Sequence, residues 1–178
     1  MRIAVETATD DGTAETFWAV YHEAFAPLAT RAAARQVLHR SEFLDEMRDE
    51  RVLKYVAYDD AEQPVGMATL TSSLETVPWI SPAYFEARWP EHYAQGRLYY
   101  VGFILVSPKA QRRGLYARLL GEIVRKLSDE KAVAGYDACA YNDEVAGLTR
   151  ATARLVQARA DAEFVALDVQ TYYGFVFS

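Results

Sequence analysis

An apolar run followed directly by an amphipathic helix is the feature that most constrains the fold of this chain. Residues 97–106, RLYYVGFILV, are rich in aromatic and β-branched residues and predict a buried strand. Leucine, isoleucine and valine recur at helical spacing over 115–127 and predict a long helix with one apolar face. Residues 133–141, VAGYDACAY, predict another strand. A strand, a helix and a strand in this order require a crossover, so we expect two parallel strands within a mixed sheet.

The first part of the chain predicts helices followed by a hairpin. RIAV predicts a short N-terminal strand, and aromatic residues at helical spacing predict a helix over 13–25. A second helical region follows, as one helix or as two, with Ser41 as the candidate cap of a separate piece. Residues 52–58 and 64–72 flank the polar turn DDAEQ and predict paired strands.

Two later regions have weaker patterns. Residues 77–96 contain three prolines and no clean period, so we expect an irregular insertion with a short helix over 83–88. A helix is predicted to begin near Asn142, which can cap it. The C-terminal stretch EFVALDVQTYYGFVF is strand-rich, as two short strands or as one bent strand.

Composition excludes several classes of protein. The chain has 178 residues, enough for one domain, and its net charge of −6 disfavours a nucleic-acid binder. Its one cysteine, Cys139, excludes an intramolecular disulfide and a cysteine-rich zinc site, and we expect no metal. The N-terminus has no apolar signal segment, and no run of about 18 apolar residues occurs. We therefore expect a soluble cytoplasmic protein that does not bind membranes.

The loop between the predicted strand and helix, SPKAQRRGLY, has the features of an anion site. Unpaired N–H groups and the helix dipole attract phosphate at a helix start, and Arg112 and Arg113 add positive charge. An ordinary turn with solvated arginines is the alternative. The loop lacks the P-loop lysine and the three-glycine dinucleotide fingerprint, which makes ATP and NAD poor candidates.

The segment V-S-P-K-A-Q-R-R-G-L-Y resembles the coenzyme A loop of the GNAT superfamily of acyl-CoA-dependent N-acyltransferases. The order of predicted elements is similar to that family over nearly the whole chain. The resemblance implies an α/β (α+β) fold over residues 1–178, with a mostly antiparallel mixed sheet, a parallel β-α-β pair and flanking helices. It also implies acetyl-CoA as the co-substrate. The implied cofactor contacts are Ile104, Leu105, Val106, Gln111, Arg112, Arg113, Gly114, Leu115, Tyr116 and Asn142.

The chain departs from the family pattern at several positions. Tyr116 replaces a small residue, and Arg112 stands where glycine is frequent. Thr149 lies where the family often has a catalytic tyrosine. Gly102, inside the strand, is predicted to mark a bulge that opens space for the pantetheine arm, or else to make room for a core aromatic ring.

The resemblance implies that an amine attacks the thioester directly. The amine must lose a proton, the oxyanion needs a donor (a backbone N–H over 103–105), and the thiolate needs a proton source. Tyr141 is our prediction for the proton donor, and Tyr100 is the alternative. Cys139 is interpreted as a core residue in a strand. The candidate bases are Glu75, Glu86, Glu91 and His92.

The resemblance thus implies an N-acetyltransferase acting on a small-molecule amine. The alternatives are a non-catalytic acyl-CoA-binding or interaction module, and a structural domain that binds no cofactor. The aromatic residues of 77–96 either wall an acceptor pocket or cover a sheet edge or dimer contact, so a homodimer is one arrangement to expect.

Overall fold

A computed structural model describes residues 1–108, 110 and 114–177. The predicted contacts Gln111, Arg112 and Arg113 lie outside the described residues. The strands are β1 (Arg2–Glu6), β2 (Val52–Tyr58), β3 (Pro64–Thr71), β4 (Leu98–Val106) and β5 (Val133–Gly135). The helices are α1 (Asp11–Phe25), α2 (Arg40–Arg48), α3 (Pro82–Arg88), α4 (Pro90–Ala94), α5 (Leu115–Asp129) and α6 (Leu148–Gln157). Short 3₁₀ turns cover Ala26–Thr30 and Leu74–Thr76, and a π turn covers Tyr141–Val145.

The five strands form one sheet in the order β1-β2-β3-β4-β5. Each of the first three neighbouring pairs is antiparallel, and β4 pairs with β5 in parallel through α5. The expected mixed sheet and its crossover are therefore confirmed. The strand predicted over 52–58 and the hairpin it forms with β3 are confirmed as well.

Helices cover both faces of the sheet. Successive residues of β4 point to opposite faces, so Tyr99 packs with α5 whereas Tyr100 packs with Phe85 of α3. The α1–α2 side buries one group of apolar residues: Phe17, Tyr21, Phe43, Met47, Val56, Met67, Phe103 and Leu105. The α5 side buries another: Tyr55, Ala57, Ala68, Leu70, Leu115, Leu119 and Ile123. These two groups and the smaller cluster around Phe85 and Tyr100 fix the sheet between the helices.

Side-chain caps set where the first two helices begin. The carboxylate of Asp10 accepts the N–H of Thr13 at 3.0 Å, so α1 begins at Asp11, two residues before the predicted start. Glu42 accepts the N–H of His39 at 2.7 Å, and α2 begins at Arg40. The capping role predicted for Ser41 is therefore wrong, since that residue lies inside α2.

The region after α5 differs most from the sequence prediction. The strand expected over 133–141 ends at Gly135. The helix expected near Asn142 is present as a π-helical turn over Tyr141–Val145, and a separate α-helix begins at Leu148. Asn142 lies inside the π turn, which Ala140 caps, so the predicted capping role of Asn142 is wrong. Asp137 accepts hydrogen bonds from two side chains outside β5, which holds this part of the chain away from the ladder. Cys139 is therefore half-buried outside any strand.

The C-terminal strand prediction is wrong for the described residues. Residues 161–177 contain neither strand nor helix, and most of their aromatic and β-branched side chains are exposed. A strand-like composition is stabilised only by pairing and packing against neighbours, and this stretch has few such contacts. None of the described helices has both the length and the apolarity to cross a membrane.

Candidate active site

The two parallel strands separate after a short ladder. The last pair joins Tyr100 of β4 to Gly135 of β5, whereas β4 continues to Val106. Within the described part of the chain, no strand pairs with this second half of β4 on the side of β5. The predicted cofactor contacts Ile104, Leu105 and Val106 all lie in this half, beside the opening.

A β-bulge lies at the start of the opening. Between the pairs Ala68↔Ile104 and Leu70↔Val101, β3 contributes only Thr69, while β4 contributes both Gly102 and Phe103. The N–H of Phe103 donates to Oγ1 of Thr69 at 3.3 Å. The bulge expected at Gly102 is confirmed, and it turns Gly102 and Phe103 to the same face.

The glycine at this bulge is required by a close contact. A Cβ at position 102 would lie 2.5 Å from Oγ1 of Thr69, well inside normal contact distance. The neighbour is thus a hydroxyl, so the alternative that Gly102 makes room for an aromatic ring is wrong. The same point lies 3.5 Å from Oε1 of Glu46, which brings a carboxylate from α2 to the bulge.

Glu46 is a candidate functional residue that sequence reasoning did not single out. Burial raises the pKa of its carboxyl to about 7, although the Thr69 hydroxyl and the Lys54 ammonium each act in the opposite direction. The sequence did carry one indication of this burial. Glu46 follows Phe43 by three residues and precedes Met47, so helical spacing places it beside two apolar residues that are buried. A carboxylate beside such an apolar stripe is unusual.

A buried lysine lies on the same side of the sheet. Lys54 of β2 is fully buried, and its Nζ donates to the carbonyl of Thr7 at 2.9 Å and to that of Asp49 at 2.6 Å. Burial lowers its pKa to about 8, and the neighbouring carboxylate of Glu46 partly offsets this. Lys54 therefore joins the end of α2 to the turn that precedes α1.

Two cavities adjoin Glu46. A narrow pocket at the bulge is lined by Thr69, Thr71, Tyr100 and Gly102. An open cleft of about 200 Å³ is lined by Leu38, Asp45, Pro78 and other residues of this region. Glu46 and the half-exposed Trp79 are among the residues that line both cavities, so the two cavities adjoin at these side chains.

The candidate proton donors have different surroundings. The buried hydroxyl of Tyr100 donates to Asp137 at 2.5 Å, and burial together with that carboxylate raises its pKa. Tyr141 lies in the π turn beyond β5, where the guanidinium of Arg31 sits 4.5 Å from the ring centroid. The predicted cofactor contact Asn142 follows it and is half-buried.

The predicted bases do not line either cavity. Glu75, Glu86 and Glu91 are exposed, and Glu75 lies 3.4 Å from Arg51. His92 is half-buried in α4 and is likewise absent from both cavity walls. Sequence patterns favoured residues 77–96 for their aromatic composition. Of the aromatic side chains in this segment, only Trp79 lines these two cavities.

The start of α5 is suited to an anion. Gly114 adopts a left-handed conformation (φ +65°) as the N-cap, and a Cβ there would meet no atom within 4 Å. Leu115 is buried, and the hydroxyl of Tyr116 shares a hydrogen bond with Oγ1 of Thr152 on α6 at 2.7 Å. The Tyr116 side chain thus packs on α6, which leaves the first turn of α5 unobstructed by it.

One buried hydroxyl beside the opening could serve a polar ligand such as coenzyme A. Ser107 directly follows β4, and its Oγ has no hydrogen-bond partner among the described residues. The hydroxyls of Tyr136 and Thr149 are also buried, but they lie close enough to interact, and this contact counteracts the burial that raises the pKa of Tyr136. Buried polar groups normally have partners, so the Ser107 hydroxyl fits a ligand that carries amides or phosphates. The described residues contain no group of three or more His, Cys, Asp or Glu side chains placed to hold a metal.

Comparison with known proteins gave a family match and several similar folds. The model of the acetyltransferase (GNAT) family matches residues 14–146. An aminoglycoside 6'-N-acetyltransferase from Acinetobacter baumannii superposes with a TM-score of 0.54 at 14% identity, covering 99% of this chain and 100% of its own. An aminoglycoside acetyltransferase from an uncultured soil metagenomic sample, in complex with sisomicin, gives 0.52 at 17% identity, with 98% and 95% covered.

A third solved structure is that of an enzyme whose name specifies a protein as its acceptor. The ribosomal-protein-S18-alanine N-acetyltransferase from Escherichia coli gives a TM-score of 0.51 at 14% identity, covering 84% of this chain and 76% of its own. No curated protein matches the sequence significantly. At these identities the similarity shows a shared fold, and the substrates of the neighbours belong to those proteins.

Proposed function

Since the chain belongs to the GNAT acetyltransferase family, we propose that it transfers an acetyl group from acetyl-CoA to the amine of a small molecule. The observation that carries this proposal is the bulge at Gly102 and Phe103, beside the point where β4 and β5 separate. An extended thioester can lie along the unpaired half of β4, with its carbonyl near the bulge. The amine then attacks it directly from the α2 side.

Binding of acetyl-CoA would use the main chain at both ends of the opening. The edge of β4 at Ile104, Leu105 and Val106 offers backbone groups to the amides of the pantetheine arm. The free N–H groups after Gly114 offer donors to the pyrophosphate, and the helix dipole favours the negative charge there. We propose that the side chains of the preceding loop and Asn142 complete this site.

The acceptor would enter through the cleft beside α2. Carboxylates outnumber cations on its wall, where the charged residues are Glu42, Asp45, Glu46, Asp49 and Arg51. Asp45 has no ion pair among the described residues, and this excess of negative charge favours a positively charged amine over an anion. The indole of Trp79 supplies an aromatic wall to the same cleft. The aminoglycoside acetyltransferases among the structural neighbours act on compounds of this general kind, which is compatible with a small-molecule amine as acceptor.

The second candidate is a binding protein that has the same fold but no transferase activity. Thr149 is the specific observation in its favour, because a threonine hydroxyl is a far weaker acid than a phenol. In this case acetyl-CoA would bind in the opening between β4 and β5, and no amine would accelerate the release of free coenzyme A.

Two measurements separate these possibilities. Thermal unfolding is followed with acetyl-CoA, with coenzyme A and with ATP, and we expect the first two alone to raise the melting temperature. Release of free thiol is then measured with ethylenediamine, spermidine, tyramine and kanamycin as acceptors. Thiol release that depends on an amine supports the transferase. Stabilisation by acetyl-CoA without release for any amine supports the binder, and no stabilisation contradicts both.

A further inference from the structure

We infer that Glu46 is the general base that removes the proton from the attacking amine. This inference rests on the proposed transferase function and identifies the residue that performs one of its steps. The carboxylate of Glu46 lies at the bulge, it is shared by the two cavities there, and the charged groups around it suit a base.

The backbone places Glu46 at the bulge. Phe43 and Met47 anchor α2 in the core, and this orientation directs Glu46 over the sheet to within 3.5 Å of the Cβ point of Gly102. A side chain larger than hydrogen at position 102 would fill the space between this carboxylate and Thr69. The absence of a side chain on Gly102 therefore leaves the carboxylate facing the backbone where the thioester carbonyl is proposed to lie.

Glu46 is the carboxylate that the two adjoining cavities share. It lines both the open cleft and the narrow pocket, whereas Glu42, Asp45 and Asp49 line the cleft alone. Arg35 donates to Glu42 at 2.9 Å, and Arg51 donates to Asp49 at 2.6 Å, so those two carboxylates already have cationic partners. An amine entering the cleft therefore meets Glu46 last, next to the proposed position of the thioester.

The electrostatic surroundings suit a base. The charged and titratable groups that act on Glu46, or share its cavities, come from α1, α2, β2, β4 and the loops: Tyr21, Glu42, Asp45, Asp49, Arg51, Lys54 and Tyr100. Burial and Asp49 raise the pKa of Glu46, while Lys54 counteracts them, and the result is about 7. A base with a pKa near the working pH is largely available and still accepts a proton effectively.

The proposed step conserves atoms and charge. The amine enters as an ammonium ion and first gives one proton to Glu46, which passes it to water in the cleft. The freed lone pair of nitrogen then forms the N–C bond to the thioester carbonyl carbon, and the second proton released from nitrogen passes to Oε1 or Oε2 of Glu46. The C–S bond then breaks with its electron pair on sulfur, which takes a proton from the proton donor of the site. After the products leave, Glu46 returns its proton to water and the proton donor takes one from water, so both groups regain their starting states.

The test compares Glu46→Gln, which keeps the shape and removes the basic oxygen, with Glu46→Asp, which keeps the carboxylate on a shorter side chain. Glu23→Gln, an exposed carboxylate on α1, is the matched control. Acetyl-CoA affinity is measured by calorimetry. The kcat/KM for the best acceptor among ethylenediamine, spermidine, tyramine and kanamycin is measured as a function of pH.

We expect Glu46→Gln to lower kcat/KM by about 100-fold or more at neutral pH and to abolish the inflection near pH 7, with acetyl-CoA affinity unchanged. Glu46→Asp should retain the inflection at a reduced rate, and Glu23→Gln should match the wild type. A Glu46→Gln protein with wild-type activity and pH profile overturns the role of Glu46 alone. Loss of acetyl-CoA binding in that variant also overturns it, since the role would then be structural. A wild-type protein that binds acetyl-CoA but acetylates no amine overturns the proposed function and this inference together.

Discussion

The hydroxyl of Tyr100 donates to the carboxylate of Asp137 across 2.5 Å, just beyond the last pair of the parallel ladder. The indole of Trp79 donates to the same oxygen at 3.1 Å. One carboxylate thus connects β4, the chain leaving β5 and the loop that lines the acceptor cleft. Because the phenolic proton of Tyr100 is directed to Asp137, this residue is less suited than Tyr141 to the proposed role of proton donor.

Replacing Tyr141 with phenylalanine should lower kcat at least tenfold, corresponding to about 1.4 kcal/mol of barrier, with little change in acetyl-CoA affinity. The matched variant is Tyr100→Phe, which should lower stability by about 1 to 3 kcal/mol because it removes a hydrogen bond to a charged group. Single-turnover kinetics and urea unfolding separate the two effects. Normal turnover in Tyr141→Phe and loss of turnover in Tyr100→Phe would transfer the role of proton donor to β4.

Replacing Gly102 with alanine should destabilise the protein by about 1 to 3 kcal/mol, because the new Cβ would lie 2.5 Å from Oγ1 of Thr69. The double variant with Thr69→Ala removes that oxygen and should recover part of the loss. Urea unfolding of the four proteins gives the coupling energy between the two positions. Additive effects would show that the close contact is not the cause.

Replacing Gly114 with glutamate should abolish coenzyme A binding, because it adds negative charge at the start of α5. Gly96 provides a matched control: it has φ +65° in the turn between α4 and β4, and a Cβ there is equally unobstructed. Gly96→Glu therefore introduces the same backbone strain and charge at a different turn. Calorimetry with coenzyme A should show loss of binding for the first variant only, and equal losses would attribute the effect to strain.

The free energy of unfolding should depend on pH through Glu46. Its pKa is raised from 4.5 to about 7 on folding, so the folded state holds the proton more tightly than the unfolded state. The stability of the wild type should therefore fall as pH rises from 4.5 to about 7, and Glu46→Gln should remove this fall. The difference between the two proteins should change by about 2 to 3 kcal/mol over this interval. Urea unfolding at both ends of the interval measures it, and parallel stability curves would contradict the shift.

Replacing Cys139 with alanine should leave turnover unchanged and lower stability by about 1 kcal/mol or less, since the side chain is half-buried. Mass spectrometry of the wild-type protein during turnover provides the check. An acetyl group trapped on Cys139 would indicate a covalent mechanism and contradict direct attack.

Much of the sheet could be predicted from local patterns. Residues 52–58 and 97–106 are long apolar runs bounded by turns, and both became strands with nearly those limits. The bulge at Gly102 could also be predicted, because a glycine inside an apolar strand usually marks a bulge or a close backbone approach. Long-range contacts determined the rest. β5 ends at Gly135, and two residues later Asp137 accepts hydrogen bonds from Trp79 and Tyr100, contacts with residues distant in sequence that local composition does not show.

Glu46 could not be found by looking for motifs, because its environment is formed by three separate segments. Thr69 comes from β3, Lys54 from β2 and the bulge from β4, and none is close to residue 46 in sequence. Sequence patterns favoured the aromatic insertion, where acidic residues are near prolines and tryptophans. Those carboxylates are exposed, so they lack the burial that shifts the pKa of Glu46.

The bulge also governs which changes in chain length this protein can tolerate. Tyr100 and Phe103 are three residues apart, yet both pack on the same side of the sheet because the bulge absorbs one residue. Deleting a residue between them would turn Phe103 toward α5 and exchange the environments of every position up to Val106. Insertions in the turn at 59–63 would not change which face of the sheet each side chain of β4 occupies. Variation in length among relatives should therefore accumulate in the turns and avoid β4.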